Sequence, residues 1–235
     1  DKNTRHVIFA PRTLETHKIH VIDTLNQPGR QINKLESTGF HIFLNGNYTG
    51  SFDNGKRHGK GKFTWPDGDV YEGDFDRDKR TGKGKMKFAE SGNMYEGEFL
   101  DGVKHGKGKF TWASGNVYEG DYVNDERTGE GTFTWASSGN RYEGPFENGK
   151  RNGVGKFIYK ESGDWYVGHF LDGKFNGYGS YLWKETGDEY DGNWVDGKMH
   201  GEGTMNYGNG DFYEGEWEND RKKVPANTSI GISLE

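Results

Sequence analysis

The stretch Tyr95-Glu96-Gly97-Glu98-Phe99-Leu100-Asp101-Gly102-Val103-Lys104-His105-Gly106-Lys107-Gly108 decides the fold. Its side chains alternate with a period of two, the period of a strand. Tyr95, Gly97 and Phe99 share one face, and Glu96 and Glu98 share the other. A turn rich in Gly and Asp follows at residues 101–105. After Gly106 and Gly108 comes a second strand, Lys109-Phe110-Thr111-Trp112, again with rings at alternate positions. The unit is a β-hairpin.

The unit recurs. Tyrosines open repeats at positions 48, 71, 95, 118, 142, 166, 190 and 213, at intervals of 23 or 24 residues. Eleven residues after each of the first seven stands a Gly-x-Gly: Gly59/Gly61, Gly82/Gly84, Gly106/Gly108, Gly129/Gly131, Gly153/Gly155, Gly177/Gly179 and Gly201/Gly203. The one-residue variation falls in the loop before the next tyrosine, where Pro66-Asp67-Gly68-Asp69 answers to Ala89-Glu90-Ser91-Gly92-Asn93. A loop absorbs an insertion there without shifting strand register. The pattern predicts an all-β chain: an elongated single-layer antiparallel meander of tandem hairpins, a twisted, solenoid-like ribbon. With about sixteen strands at roughly 4.8 Å each, it should run about 70–75 Å. A ring opposite a glycine lies flat on bare backbone, where a Cβ would hold it off. Rings of neighbouring repeats then meet edge to face, adding roughly 0.5–1.5 kcal/mol per pair.

Composition agrees. Hydrophobic residues make up only 30% of the chain and mean hydropathy is −1.07, too little aliphatic material for a thick two-layer core. The 13 Tyr, 15 Phe and 7 Trp argue against disorder. A net charge of −6 disfavours nucleic acid as a partner. The absence of cysteine excludes disulfides and thiolate metal sites. No apolar run is long enough to span a membrane, and the opening residues read as no leader.

Residues 95–108, and equally 190–203, resemble the consensus of the MORN (membrane occupation and recognition nexus) repeat family, and the resemblance extends over roughly residues 48–220. In style the chain is similar to MORN arrays of the radial-spoke-head type. The resemblance implies a single-layer extended sheet. It also implies the roles typical of such arrays: scaffolding in cilia, flagella and cytoskeleton, partner docking, and phospholipid binding. The kinase and methyltransferase domains that accompany some arrays have no counterpart in these residues.

The expected organisation has four parts. Residues 1–39 form a non-repeating N-terminal segment with short strands at 6–9 and 17–22, either a cap over a sheet edge or a distinct interaction segment. Residues 40–47 form a degenerate half repeat, residues 48–220 seven full repeats plus a half, and residues 221–235 a polar tail.

No catalytic or metal site is expected, and no cofactor. The acids in rows, such as Glu72, Glu96 and Glu119 with Asp74, Glu98 and Asp121, face lysines of the second strands, and cross-strand charge pairing accounts for them. His58, His105 and His200 occupy one turn position in different repeats and cannot converge. His6, His17, His20 and His41 match no ligand spacing. The Gly-x-Gly pairs lack the following helix of a phosphate loop.

Two surfaces remain. One ribbon edge carries Lys56, Arg57, Lys79, Arg80, Lys104, Arg127, Lys150 and Arg151, a candidate meeting place for anionic lipid. The other surface is a break in pattern. The outward positions counted in repeats one to four and seven hold no apolar or aromatic residue, whereas repeats five and six place Pro145, Val154, Ile158, Val167, Tyr178 and Leu182 there. His169 replaces an acid, and Phe175 stands in the neighbouring turn where repeats one to five carry Arg or Lys. An apolar patch on such a ribbon marks a binding surface, unless residues 1–39 or the sheet itself cover it. The expected function is a non-enzymatic protein-interaction scaffold, ciliary or cytoskeletal, in the cytoplasm, with a protein partner and room for self-association. The alternatives are a phospholipid-binding module using the basic edge and an accessory segment of a larger enzyme.

Overall fold

Each repeat supplies two strands. In repeat three, Met94–Leu100 pairs with Val103–Thr111, Tyr95 opposite Phe110 and Gly97 opposite Gly108. The next pairing, to Val117–Val123, keeps that register, with Gly108 opposite Gly120 and Phe110 opposite Tyr118. A row of facing glycines therefore crosses the sheet, flanked by a row of facing rings. The computed structural model describes residues 36–43 and 45–223. The strands expected at 6–9 and 17–22, the role of residues 1–35, and the tail from 224 lie outside the described residues.

Among the described residues, seventeen strands form one antiparallel meander from Glu36–Phe43 to Arg221–Lys222, each paired with its neighbours in sequence. Lys150–Arg151 and Gly153–Ile158 are two pieces of one strand, both paired with Arg141–Glu147. The described residues contain no helix, and no pairing joins the first strand to the last. The sheet is open, as the repeat pattern predicts.

A single layer buries rings because the glycines let it. Tyr48, Tyr71, Tyr95, Tyr118, Tyr142, Tyr166 and Tyr190 are all fully buried. Each lies flat across two facing glycines: a Cβ at Gly131 would come within 2.6 Å of both Oη and Cε2 of Tyr118. The ring then reaches far enough for its hydroxyl to donate to the carbonyl three residues on, Tyr118 to Asp121 at 3.0 Å. Rings of the same and the next repeat close its sides. Tyr118 stands 5.3 Å from Tyr122 and 4.9 Å from Phe146, at 88° and 82°. The inter-repeat pair recurs from Tyr48–Phe75 to Tyr190–Trp217.

Both ribbon edges are stitched. At the hairpin turns, Gly149 N donates to the Arg127 carbonyl at 3.1 Å and Asp125 N to that of Lys104 at 3.0 Å. At the loops, the Asp or Asn two residues before each tyrosine from Tyr71 to Tyr190 accepts from the next repeat's backbone: Asn93 from Ala113 N at 2.9 Å, Asp164 from Lys184 N at 2.8 Å. The loop acids Asp69, Asp164 and Asp188 thus hold repeats together. The hairpin turns are tight, with left-handed backbone at Asp101 (φ 52°) and Gly102 (φ 94°), the requirement of a two-residue hairpin loop.

Candidate functional site

The face opposite the rings is built from rows of cross-strand neighbours. In repeats one to four it is a charge lattice. Lys62 and Lys85 flank Glu72, Lys85 and Lys109 flank Glu96, and Lys60 stands opposite Asp74. Ion pairs join Lys60 to Asp74 at 2.7 Å, Lys107 to Asp121 at 2.7 Å and Lys85 to Glu96 at 3.4 Å. The inner acid has a second role. Each hairpin bulges after its glycine pair, and Asp74 and Asp121 accept the Lys83 and Glu130 backbone N–H there, both at 3.1 Å. These carboxylates are engaged in pairing and capping.

In repeats five and six the lattice stops. Val154 stands opposite His169, Lys156 opposite Val167, and Tyr178 opposite Asn193. Val154 is 56% exposed, Tyr178 58% and Val167 39%. His169 is also exposed, while Pro145, Ile158 and Leu182 are half-buried. Pro145 and His169 occupy the bulge-capping position of the acids, so apolar character there comes with the loss of a carboxylate cap.

The register adds a residue that the sequence reading passed over. Trp165 lies between Ile158 and Leu182, opposite both, and completes an apolar row on the same face. It precedes Tyr166 and so fell outside the outward positions counted from each tyrosine onward. A turn-side row, five residues after each tyrosine, also lies outside those positions: Leu100, Val123, Leu171 and Val195 are all exposed. Of these only Leu171 continues the patch; the others sit singly beside charged lattice.

Phe175 is a correction. It is not in an exposed turn with the patch but on the ring face. Phe170 stands opposite it, as Tyr122 stands opposite Arg127, and that pairing fixes its side. Phe175 stacks flat on Tyr166, with centroids 3.7 Å apart and planes at 12°, and meets Trp194 at 5.5 Å.

The equivalent cations of the basic edge behave likewise. Arg127 lies 5.4 to 5.7 Å over Trp112, Tyr118, Phe133 and Phe146 and donates to the Gly149 carbonyl at 2.6 Å. Arg80 and Arg151 lie over rings in the same way and donate to the carbonyls of Gly102 and Gly173. Burial lowers both guanidinium pKa values from the ordinary value. Arg57 and Lys104 also sit over rings, and Arg57 pairs with Asp78 at 3.1 Å. Lys56, Lys79 and Lys150 remain on the exposed edge, and the last two bridge to Asp101 and Asp172 at 2.8 and 3.0 Å. The edge alternates in charge instead of being uniformly basic.

The ring socket makes a prediction. Arg151→Ala loses a charge-assisted hydrogen bond and the cation–π contacts, and should lower stability by about 2–3 kcal/mol. Phe175→Arg should change it by about 1 kcal/mol or less, because the arginine enters the socket its counterparts already use. Urea unfolding of the two variants checks this.

Among the described residues, no group of three or more His, Asp or Glu is placed to hold a metal ion, and no helix is long and apolar enough to cross a membrane.

Tandem hairpins stitched side by side, one face sealed by rings and the other open, define a repeat-based interaction module. The chain belongs to the MORN repeat family, whose model matches residues 48–70, 71–92, 95–117, 118–139, 142–163, 166–185, 190–212 and 213–225. No curated protein matches it. Among solved structures it is similar to the SAS-4 (dCPAP) TCP domain of Drosophila melanogaster, in complex with a proline-rich motif of Ana2 (dSTIL). Identity there is 11% over 80% of this chain and 94% of that one, with a TM-score of 0.42. The TCP10 domain of Danio rerio CPAP, in complex with a peptide of Danio rerio STIL, shows 11% identity over 78% of this chain and 99% of that one, with a TM-score of 0.28.

Proposed function

We propose that the chain is a non-enzymatic protein-interaction module that docks a protein partner on the outward face of repeats five and six. The observation that carries this reading is the replacement of paired charge by exposed Val154, Val167 and Tyr178 on adjacent strands, beside the Ile158–Trp165–Leu182 row. Lys156 stands among them, exposed and in no ion pair with a described residue; Glu143 opposite it is held by Arg141 at 2.7 Å. The chemistry that fits is a segment presenting apolar side chains around one acid for Lys156. Family scaffolding roles support a cytoplasmic, cytoskeletal or ciliary setting. The alternating edge gives anionic lipid little to hold.

Three baits test the proposal in a lysate of source cells: wild type, V154E/V167E/Y178E, and the edge variant K56E/K79E/K150E. A protein held by wild type and the edge variant, but lost with the patch variant, is expected. Once purified, it should bind wild type in solution at least tenfold more tightly than the patch variant. Equal binding to both, with the variant folded, overturns the assignment.

A further inference from the structure

Among the described residues, the sheet ends in two half repeats of opposite kind. At its start, Glu36–Phe43 is a second strand: Gly39 stands opposite Gly50 and His41 opposite Tyr48, as Gly61 stands opposite Gly73 and Phe63 opposite Tyr71. No first strand of that repeat is written in the sequence. Counting back from Gly39 the thirteen residues that separate Tyr48 from Gly61 reaches Asn26, then Pro28 and Arg30, where complete repeats carry tyrosine, glycine and a ring.

At the other end, Phe212–Glu218 is a first strand, with Tyr213 opposite Met205 and Gly215 opposite Gly203. Among the described residues its hairpin returns through Arg221–Lys222, after which Lys223 N donates to the Glu216 carbonyl at 2.8 Å. Further on, Val224 and Ala226 stand where seven repeats carry Gly-x-Gly, with Pro225 between them. A Cβ opposite Gly215 would collide with the tyrosine ring, and Pro225 has no N–H for the bulge cap. The sequence beyond Lys223 therefore lacks the Gly-x-Gly that the seven complete repeats carry.

What it leaves is a prepared edge. Among the described residues, nothing pairs with 212–215 on the outer side. Tyr213 already lies over Gly215 and donates to the Glu216 carbonyl at 3.1 Å, in the pose of its seven buried counterparts, yet it is only half-buried. Phe212 is 70% exposed. A strand that docks here must carry glycine opposite Gly215 and a ring two residues on.

We propose that the partner is the Glu36–Phe43 strand of a second copy of this chain. Gly39 then faces Gly215, His41 faces Tyr213, and Ile42 stands opposite Phe212. Tyr213 covers Gly39 as Tyr118 covers Gly131, and Glu214 meets the uncharged position Phe40, while Glu216 stays with Lys223 of its own hairpin. The two halves make one complete repeat across the junction. Because the joined surfaces differ, each added copy leaves one edge of each kind free, and copies add head to tail along the ribbon into an open filament.

Sedimentation velocity of the full chain tests this across a concentration series. Wild type should grow in mass without reaching a plateau. Gly39→Val blocks one end and Gly215→Val the other, so each should stay monomeric while circular dichroism shows the sheet retained. Mixed, the two variants should form a one-to-one dimer and stop, since each brings one intact end. A wild type that stays monomeric, a closed dimer indifferent to both substitutions, or a mixture of folded variants that fails to dimerise overturns the proposal.

Discussion

Gly131→Ala should lower the unfolding free energy by about 3 kcal/mol or more, whereas Gly102→Ala should cost only about 1–2 kcal/mol. The two glycines do different work. Gly102 is in left-handed backbone, and a Cβ there meets nothing within 4 Å, so only local strain opposes the change. Gly131 carries no positive φ, but Tyr118 lies across it, its Oη and Cε2 2.6 Å from the Cβ position. The methyl must lift the ring, and the ring cannot lift alone. It would lose its hydrogen bond to Asp121 and disturb its edge contacts with Tyr122 and Phe146. Urea unfolding of the two variants side by side gives the comparison. Equal costs would mean that the glycine row serves backbone freedom and not ring packing.

Alkali should unfold the chain in one steep step between pH 10 and about 12. Burial raises the pKa of Tyr48, Tyr118 and Tyr190 to about 12, and raises those of Tyr71, Tyr95, Tyr142 and Tyr166 as well. Unfolded tyrosine ionises near pH 10. Below that pH both states hold the proton and these groups add no pH dependence. Above it the native state holds more protons than the unfolded one, so stability falls as pH rises, by about 1.4 kcal/mol per pH unit for each tyrosine. Stacked in series, they should ionise together with loss of the sheet. Tyrosinate absorbance and circular dichroism followed in one titration should rise and fall with a common midpoint. Ionisation near pH 10 with the sheet intact would show that the rings are open to water.

The fold was legible because its cause is local and repeated. Tyr, Gly and Phe at alternate positions, with Gly-x-Gly at a fixed distance, specify strand, face and register together, and repetition removes ambiguity about partners. The candidate site was legible only where it breaks the period. Val154, Val167 and Tyr178 stood out because neighbouring repeats carry charge at their positions. Trp165 escaped because its importance lies in the cross-strand register between Ile158 and Leu182. Phe175 and the arginines were misplaced for a different reason. A turn residue reads as exposed, but a bulge beside the turn rotates this position onto the rings, where a planar guanidinium or a phenyl ring fits equally well. The edge stitches of Asp69, Asp164 and Asp188 were likewise hidden, because an acid in a loop looks the same whether it faces water or a backbone N–H twenty residues on.

The most direct measurement is amide hydrogen exchange on the chain alone and bound to the protein that wild type retains and the patch variant loses. Slowed exchange confined to Gly153–Ile158, Trp165–Leu171 and Lys174–Trp183 is the expected result. Protection that falls on the charged face of repeats one to three, with those strands unchanged, would contradict the docking site.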